Sequence, residues 1–231
     1  MAYTELTDRT SWEGSRKTLR FTAAAVAAIE AHAALAKPLR AQLTAWNEID
    51  QARRDADDAV VDANARVSAL NLLLDGAVGR LVSRLLYESN NDRSARGFVA
   101  YFPEPPNEVI RMGLETEVTR CDKLHAVAKE FGCSKQVATL LAEIARIQDS
   151  ARAALAGRKS AVEQVAAVSL RIMGWKDDTN AVRRSVENTL DAYAIKSGLA
   201  RDYSDAFFPA SSVRRAKVKT PVAVAAASQP A

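Results

Sequence analysis

The residue types best suited to chemistry are gathered at Glu117, Cys121 and His125, spaced i, i+4 and i+8 so that they share one helical face, with Cys133 close by in sequence. Carboxylate, thiol and imidazole are the donors of a soft-metal site, which needs them within about 2 Å of one ion. Zinc, however, is usually held by four ligands in CxxC- or HxxxH-type pairs. The only other histidine is His32, and the chain has two cysteines in all. The same spacing also describes a buried cysteine beside a partly exposed histidine, and no metal or other cofactor is expected.

Other chemistries lack their parts. A di-iron carboxylate bundle requires two Glu-x-x-His pairs on facing helices; Glu30 precedes His32 by two residues, and three before His125 stands Asp122. A cysteine nucleophile needs a histidine held beside it in a pocket with oxyanion donors, whereas Cys121 and His125 offer only one helix surface. Gly76-Ala-Val-Gly79 has neither the lysine nor the preceding strand of a phosphate loop and reads as a close helix-packing site. Asp50, Asp55, Asp57, Asp58 and Asp62 form an acidic run that would suit a cation, but Arg53 and Arg54 are interleaved with it, as on a solvated helix face. No catalytic residue is assigned, and a non-enzymatic protein is expected.

The elements that would carry these residues are helices. Among 231 residues there are 45 alanines, 9 glycines and 7 prolines, a balance that favours helix and excludes sandwiches, barrels and collagen-like chains. With 48% hydrophobic and 26% charged residues the chain can bury a core, and two cysteines exclude a disulfide framework, pointing to a reducing compartment. The first residues show neither a basic nor an apolar signal region, and no run approaches the roughly 18 apolar residues of a membrane span, so a cytoplasmic location is expected.

Charge is segregated. The net +4 equals the four bases Arg214, Arg215, Lys217 and Lys219, after which residues 1–209 hold 28 charges of each sign. Residues 210–231 read as a flexible basic Ala/Pro tail, able to neutralise about four phosphates in a weak, salt-dependent, sequence-blind contact with nucleic acid.

Along the body, Ser15 or Thr18 is placed to cap a helix running to about Ala36, and Pro38 breaks or kinks it. From Leu39 to Glu88 a stripe through Ala45, Ile49, Ala52, Ala56, Ala59, Ala63, Val67, Leu70, Leu74, Ala77, Leu81 and Leu85 advances in steps of three and four, the period of a nearly straight helix, about 75 Å long at roughly 1.5 Å per residue. The residues 89–97 form a loop, a helix is expected from Asn107 to about Glu130, and Phe131-Gly-Cys-Ser134 reads as a helix stop followed by a fresh cap. A second long stripe runs from Lys135 to Met173, Gly174–Thr179 is expected to break it, and a last helix ends near Ser197 or Ala200.

The expected fold is therefore all-α, an elongated antiparallel helical bundle with two long helices, about 39–88 and 135–173, and shorter covering helices. Residues 1–209 are expected to form a single bundle. Within it Tyr87 is followed 14 residues later by Tyr101-Phe102-Pro103, and Tyr193 by Phe207-Phe208-Pro209. This echo fits either a duplication, about 1–106 and 107–209, or coincidence, and it marks Tyr101, Phe102, Phe207 and Phe208 as aromatic stoppers and contact residues. Two functions from different classes follow. One is a structural or scaffolding protein that self-associates through helix packing or binds a protein partner. The other is a binding module for an anionic surface, whether nucleic acid or a granule coated in the manner of phasin-like proteins, acting through Arg214, Arg215, Lys217 and Lys219.

Overall fold

The computed structural model describes residues 4–209, which are helical without a strand among them. The helices are α1 (Trp12–Ala27), α2 (Ala36–Glu88), α3 (Arg96–Tyr101), α4 (Pro106–Ile110), α5 (Leu114–Phe131) and α6 (Lys135–Ser197), with short 3-10 turns at Glu30–Leu35 and Ser204–Phe207. The all-α bundle read from the stripes is the fold, with α2 and α6 packed against each other. Both contribute to two compact units, a terminal unit of residues 4–47 with 172–209 and a central unit, Glu48–Arg171.

In the terminal unit, α1 starts at Ser11 and not at the expected Ser15 or Thr18. The Ser11 hydroxyl accepts from Gly14 N at 3.1 Å, and a Cβ at residue 14 would stand 2.7 Å from that oxygen, so glycine is what admits the cap. The expected helix to Ala36 ends at Ala27. Ile29 turns extended (φ −112°, ψ 118°), and the following 3-10 turn carries His32 into the core. Pro38 breaks nothing, because it lies in the first turn of α2, where its missing N–H has no helical acceptor to lose.

The core of this unit gathers the chain's three tryptophans. Trp12 stacks on Trp46 (centroids 5.0 Å) and meets Trp175 edge-on (4.9 Å), while Trp46 Nε1 donates to Trp12 O and Trp175 Nε1 to Gln42 O at 2.9 Å. The break expected at Gly174–Thr179 does not occur, and α6 runs through it. What reads in sequence as a polar interruption is a buried polar face. Lys176, Thr179, Asn180 and Arg183 turn inward beside Trp175, toward the N-terminal segment that precedes α1. That segment has no helix to satisfy its backbone. Lys176 Nζ donates to Thr7 O (2.9 Å) and Thr10 O (2.8 Å), Arg183 donates to Thr4 O (2.8 Å), and Asn180 accepts from Leu6 N (2.9 Å) and donates to Leu6 O (2.9 Å).

In the central unit, Leu74, Val78, Leu81 and Leu85 of α2 meet Val137, Leu141 and Ile144 of α6. Phe98, Tyr101 and Phe102 from α3 and the residue after it join the same core, as do Val118, Cys121 and Leu124 of α5. The expected helix from Asn107 is divided: α4 is one short turn, and α5 begins after Gly113, which is extended (φ −67°, ψ 153°). The stop before α6 is as read. Gly132 takes φ 73°, a conformation that side-chain-bearing residues rarely adopt, and the Ser134 hydroxyl accepts from Val137 N while donating to Glu88 at 2.6 Å.

Asn180→Ala leaves both backbone groups of buried Leu6 without partners and is expected to lower stability by about 1–3 kcal/mol. Urea unfolding followed by tryptophan fluorescence measures this directly, since all three indoles report on the unit concerned.

Candidate functional site

The face that carries Glu117, Cys121 and His125 does not gather them around one point. Glu117 and Cys121 are fully buried, while His125, half-exposed, bonds through Nε2 to Gln148 Oε1 of α6 at 2.9 Å. Gln148 is itself buried and donates to Val118 O at 2.8 Å and to Asp122 at 2.9 Å, so its amide ties two turns of α5 to α6. Among the described residues no three Asp, Glu, His or Cys side chains are placed to hold a metal ion. The Cys121 thiol is pushed up to about 12, first by burial and then by the Glu117 carboxyl beside it, so it stays a thiol at neutral pH and is no nucleophile there.

The partner that Glu117 does have is Asp75 of α2. Burial, and after it the negative charge of Asp75 and the hydrogen bond that a protonated Glu117 can make to it, push the Glu117 carboxyl up to about 8. Sequence reasoning missed Asp75 because it sits next to Leu74 in the apolar half of the α2 stripe, and an acid there reads as solvent-facing. Its position among Leu70, Leu74, Ala77 and Val78, with one residue of each helical turn facing the core, was the available signal.

The aromatic contact residues are consumed inside the chain. Tyr101 and Phe102 lie in the central core, where Arg120 of α5 donates to Tyr101 O at 2.9 Å and pairs with Glu104, fixing the segment after α3. Phe207 and Phe208 are buried in the terminal unit, Phe207 within a ring cluster around His32 that includes Tyr193 and Tyr203, with His32 Nε2 bonded to the Tyr203 hydroxyl at 2.8 Å. Arg214, Arg215, Lys217 and Lys219 lie outside the described residues.

The central unit carries an open groove of about 720 Å³ between α2 and α6. Its α2 wall runs from Ala59 to Leu73 through Asp62, Ala63, Arg66 and Leu70, and its α6 wall from Ser150 to Gln164 through Ala153, Ala154, Gly157 and Ala161. Small residues make a flat floor on which another helix can approach closely. At one end Leu73 is 56% exposed and Leu72, beside it, 73%. Arg53 pairs with Asp57 and Arg54 with Asp50, but Asp62 and Arg66, also four apart, form no ion pair within the described residues. Apart from this pair the lining is neutral, and no set of convergent catalytic groups faces the groove.

No protein-family model, no curated protein and no solved structure matches this chain. Among the described residues no helix is long and apolar enough to cross a membrane.

The thiols provide a direct check of this arrangement. Cys133 is exposed and Cys121 buried, so a water-soluble aromatic disulfide reagent is expected to consume one thiol per native chain rapidly and the second only as the central unit opens or unfolds. Two equally fast thiols would contradict the placement of Cys121.

Proposed function

We propose that the chain is a non-enzymatic structural or scaffolding protein that self-associates through helix packing, and that the α2–α6 groove of the central unit is where a second copy docks. The observation that carries this reading is the groove itself: a small-residue floor, exposed leucines at one end, and two complementary charges left without partners. Closed homo-oligomers are most often two-fold symmetric, and a two-fold interface brings one surface patch against its own copy. The groove spans residues 59–73 of α2 and 150–164 of α6, and a two-fold axis near its middle, crossing α2 midway between Asp62 and Arg66, passes close to Gly157. Antiparallel docking there sets Asp62 of each copy toward Arg66 of the other. Burial of Leu73 and the alanine floor drives association, and the charge pairs fix its register.

Sedimentation equilibrium of charge variants tests the geometry. Asp62→Arg or Arg66→Asp alone is expected to weaken the dimer by on the order of tenfold, about 1.4 kcal/mol, and the double exchange to restore it. Equal affinities for all four proteins, or no association of the parent chain at high micromolar concentration, overturn the reading.

The segregation of charge favours a second reading, in which residues 210–231 hold the helical body to an anionic surface. Truncation after residue 209 is then expected to abolish binding to a single-stranded DNA probe at low salt, with binding of the full chain falling steeply as salt is raised. Equal binding by both chains removes the tail from consideration.

A further inference from the structure

Glu117 has no exposed surface, and both its carboxylate oxygens, together with Asp75 Oδ1, are buried without a hydrogen-bond donor facing them. The other Asp75 oxygen accepts from Asn71 Nδ2 at 3.1 Å, one turn earlier on α2. Around the pair the core is apolar, with Leu74 and Val78 from α2, Val118 from α5 and Ile144 from α6.

The charged and titratable groups of the neighbouring elements are engaged elsewhere or neutral. Arg120 of α5 is held by Glu104 and Tyr101 O, Arg152 of α6 by Asp122 and Asp149, and Gln148 of α6 by Val118 O, Asp122 and His125. Cys121, one turn along α5, stays protonated, and the buried Tyr101 hydroxyl has no hydrogen-bond partner among the described residues. As two carboxylates, Asp75 and Glu117 would repel each other, with Glu117 shut off from water and Asp75 only partly exposed. One added proton turns the same contact into an O–H···O hydrogen bond in which Glu117 donates and Asp75 accepts.

We propose that the Asp75–Glu117 pair is a proton-operated lock, which clamps α5 onto α2 when it holds one proton and loosens α5 when that proton is lost. The sign follows from linkage. In the closed unit the Glu117 carboxyl is raised to about 8, whereas in an opened unit it returns toward its ordinary value of 4.5. The closed form therefore binds the proton more tightly, its advantage is complete below the ordinary value, and it erodes as pH rises toward 8. Opening becomes more favourable by up to tenfold per pH unit across that window and levels off above it. The lock acts inside one chain and does not depend on self-association.

Cys121, buried one turn from Glu117, reports opening. The experiment uses the full chain carrying Cys133→Ser, with and without Glu117→Gln, and follows labelling of Cys121 by an aromatic disulfide reagent between pH 5.5 and 9. Glutamine keeps a donor toward Asp75 but cannot ionise. Taking the ratio of the two rates at each pH removes the thiol's own titration. The ratio of parent to Glu117→Gln is expected to climb as pH rises to about 8 and then flatten, and a ratio that does not change with pH overturns the proposal. If Glu117→Gln fails to fold, as judged by tryptophan fluorescence and circular dichroism, hydrogen exchange of the parent chain decides. Protection of α5 amides, corrected for intrinsic exchange, is expected to fall by tenfold or more from pH 5.5 to 8 while that of α1 holds, and pH-independent protection of α5 overturns it.

Discussion

Two helices can bury only one seam between them, and the rest of this chain follows from how the remaining faces of α2 and α6 are covered. Their lengths, 53 and 63 residues, exceed what any other helix of the chain spans, since α1 has 16 and α5 has 18. In the terminal unit the covering is mixed: α1 supplies apolar contacts, and an irregular segment is held by polar side chains of α6. In the central unit α3, α4 and α5 supply Phe98, Tyr101, Phe102, Val109 and Leu124 to the seam. Between Ala59 and Leu73 of α2 and Ser150 and Gln164 of α6 the pair stays open as a groove. The proposal of a structural protein that assembles through helix packing rests on this groove, whose small-residue walls would admit another helix.

Polar groups in the interior serve the covering elements. Asn180, Lys176 and Arg183 hold backbone carbonyls that no helix satisfies, and Gln148 does the same for α5 through Val118 O. The Asp75–Glu117 contact differs from these in that neither of its facing carboxyl groups can donate to the other unless a proton is shared. It stands at the joint between a covering helix and a long one.

Much of the fold was legible in the sequence because its main signal is periodicity over dozens of residues, which neither loops nor strands imitate. The stop at Phe131–Ser134 was legible too, since Gly132 and Ser134 act through local backbone chemistry. Errors arose where tertiary partners decide. Gly174–Thr179 reads as a break until the N-terminal segment is known to need donors along that face, and Pro38 reads as a breaker until the chain is seen to turn at Ile29, which puts the proline in a first turn. Of the site, the small-residue middles of both helices were visible as stripes. The charges at Asp62 and Arg66 were hidden among the paired charges of α2, and Asp75 was hidden by its distance in sequence from Glu117.

The account turns on a second copy filling the groove, and a cross-link across the proposed two-fold axis tests that most directly. Gly157 lies near the middle of the α6 wall, and a Cβ added there meets no atom within 4 Å, so Gly157→Cys in a Cys133→Ser chain leaves the helix undisturbed. Mild oxidation is expected to give a disulfide-linked dimer at low micromolar concentration, faster than in a chain carrying its only added cysteine at exposed Ser169. Equal rates at the two positions, or no covalent dimer at either, would contradict docking through the groove.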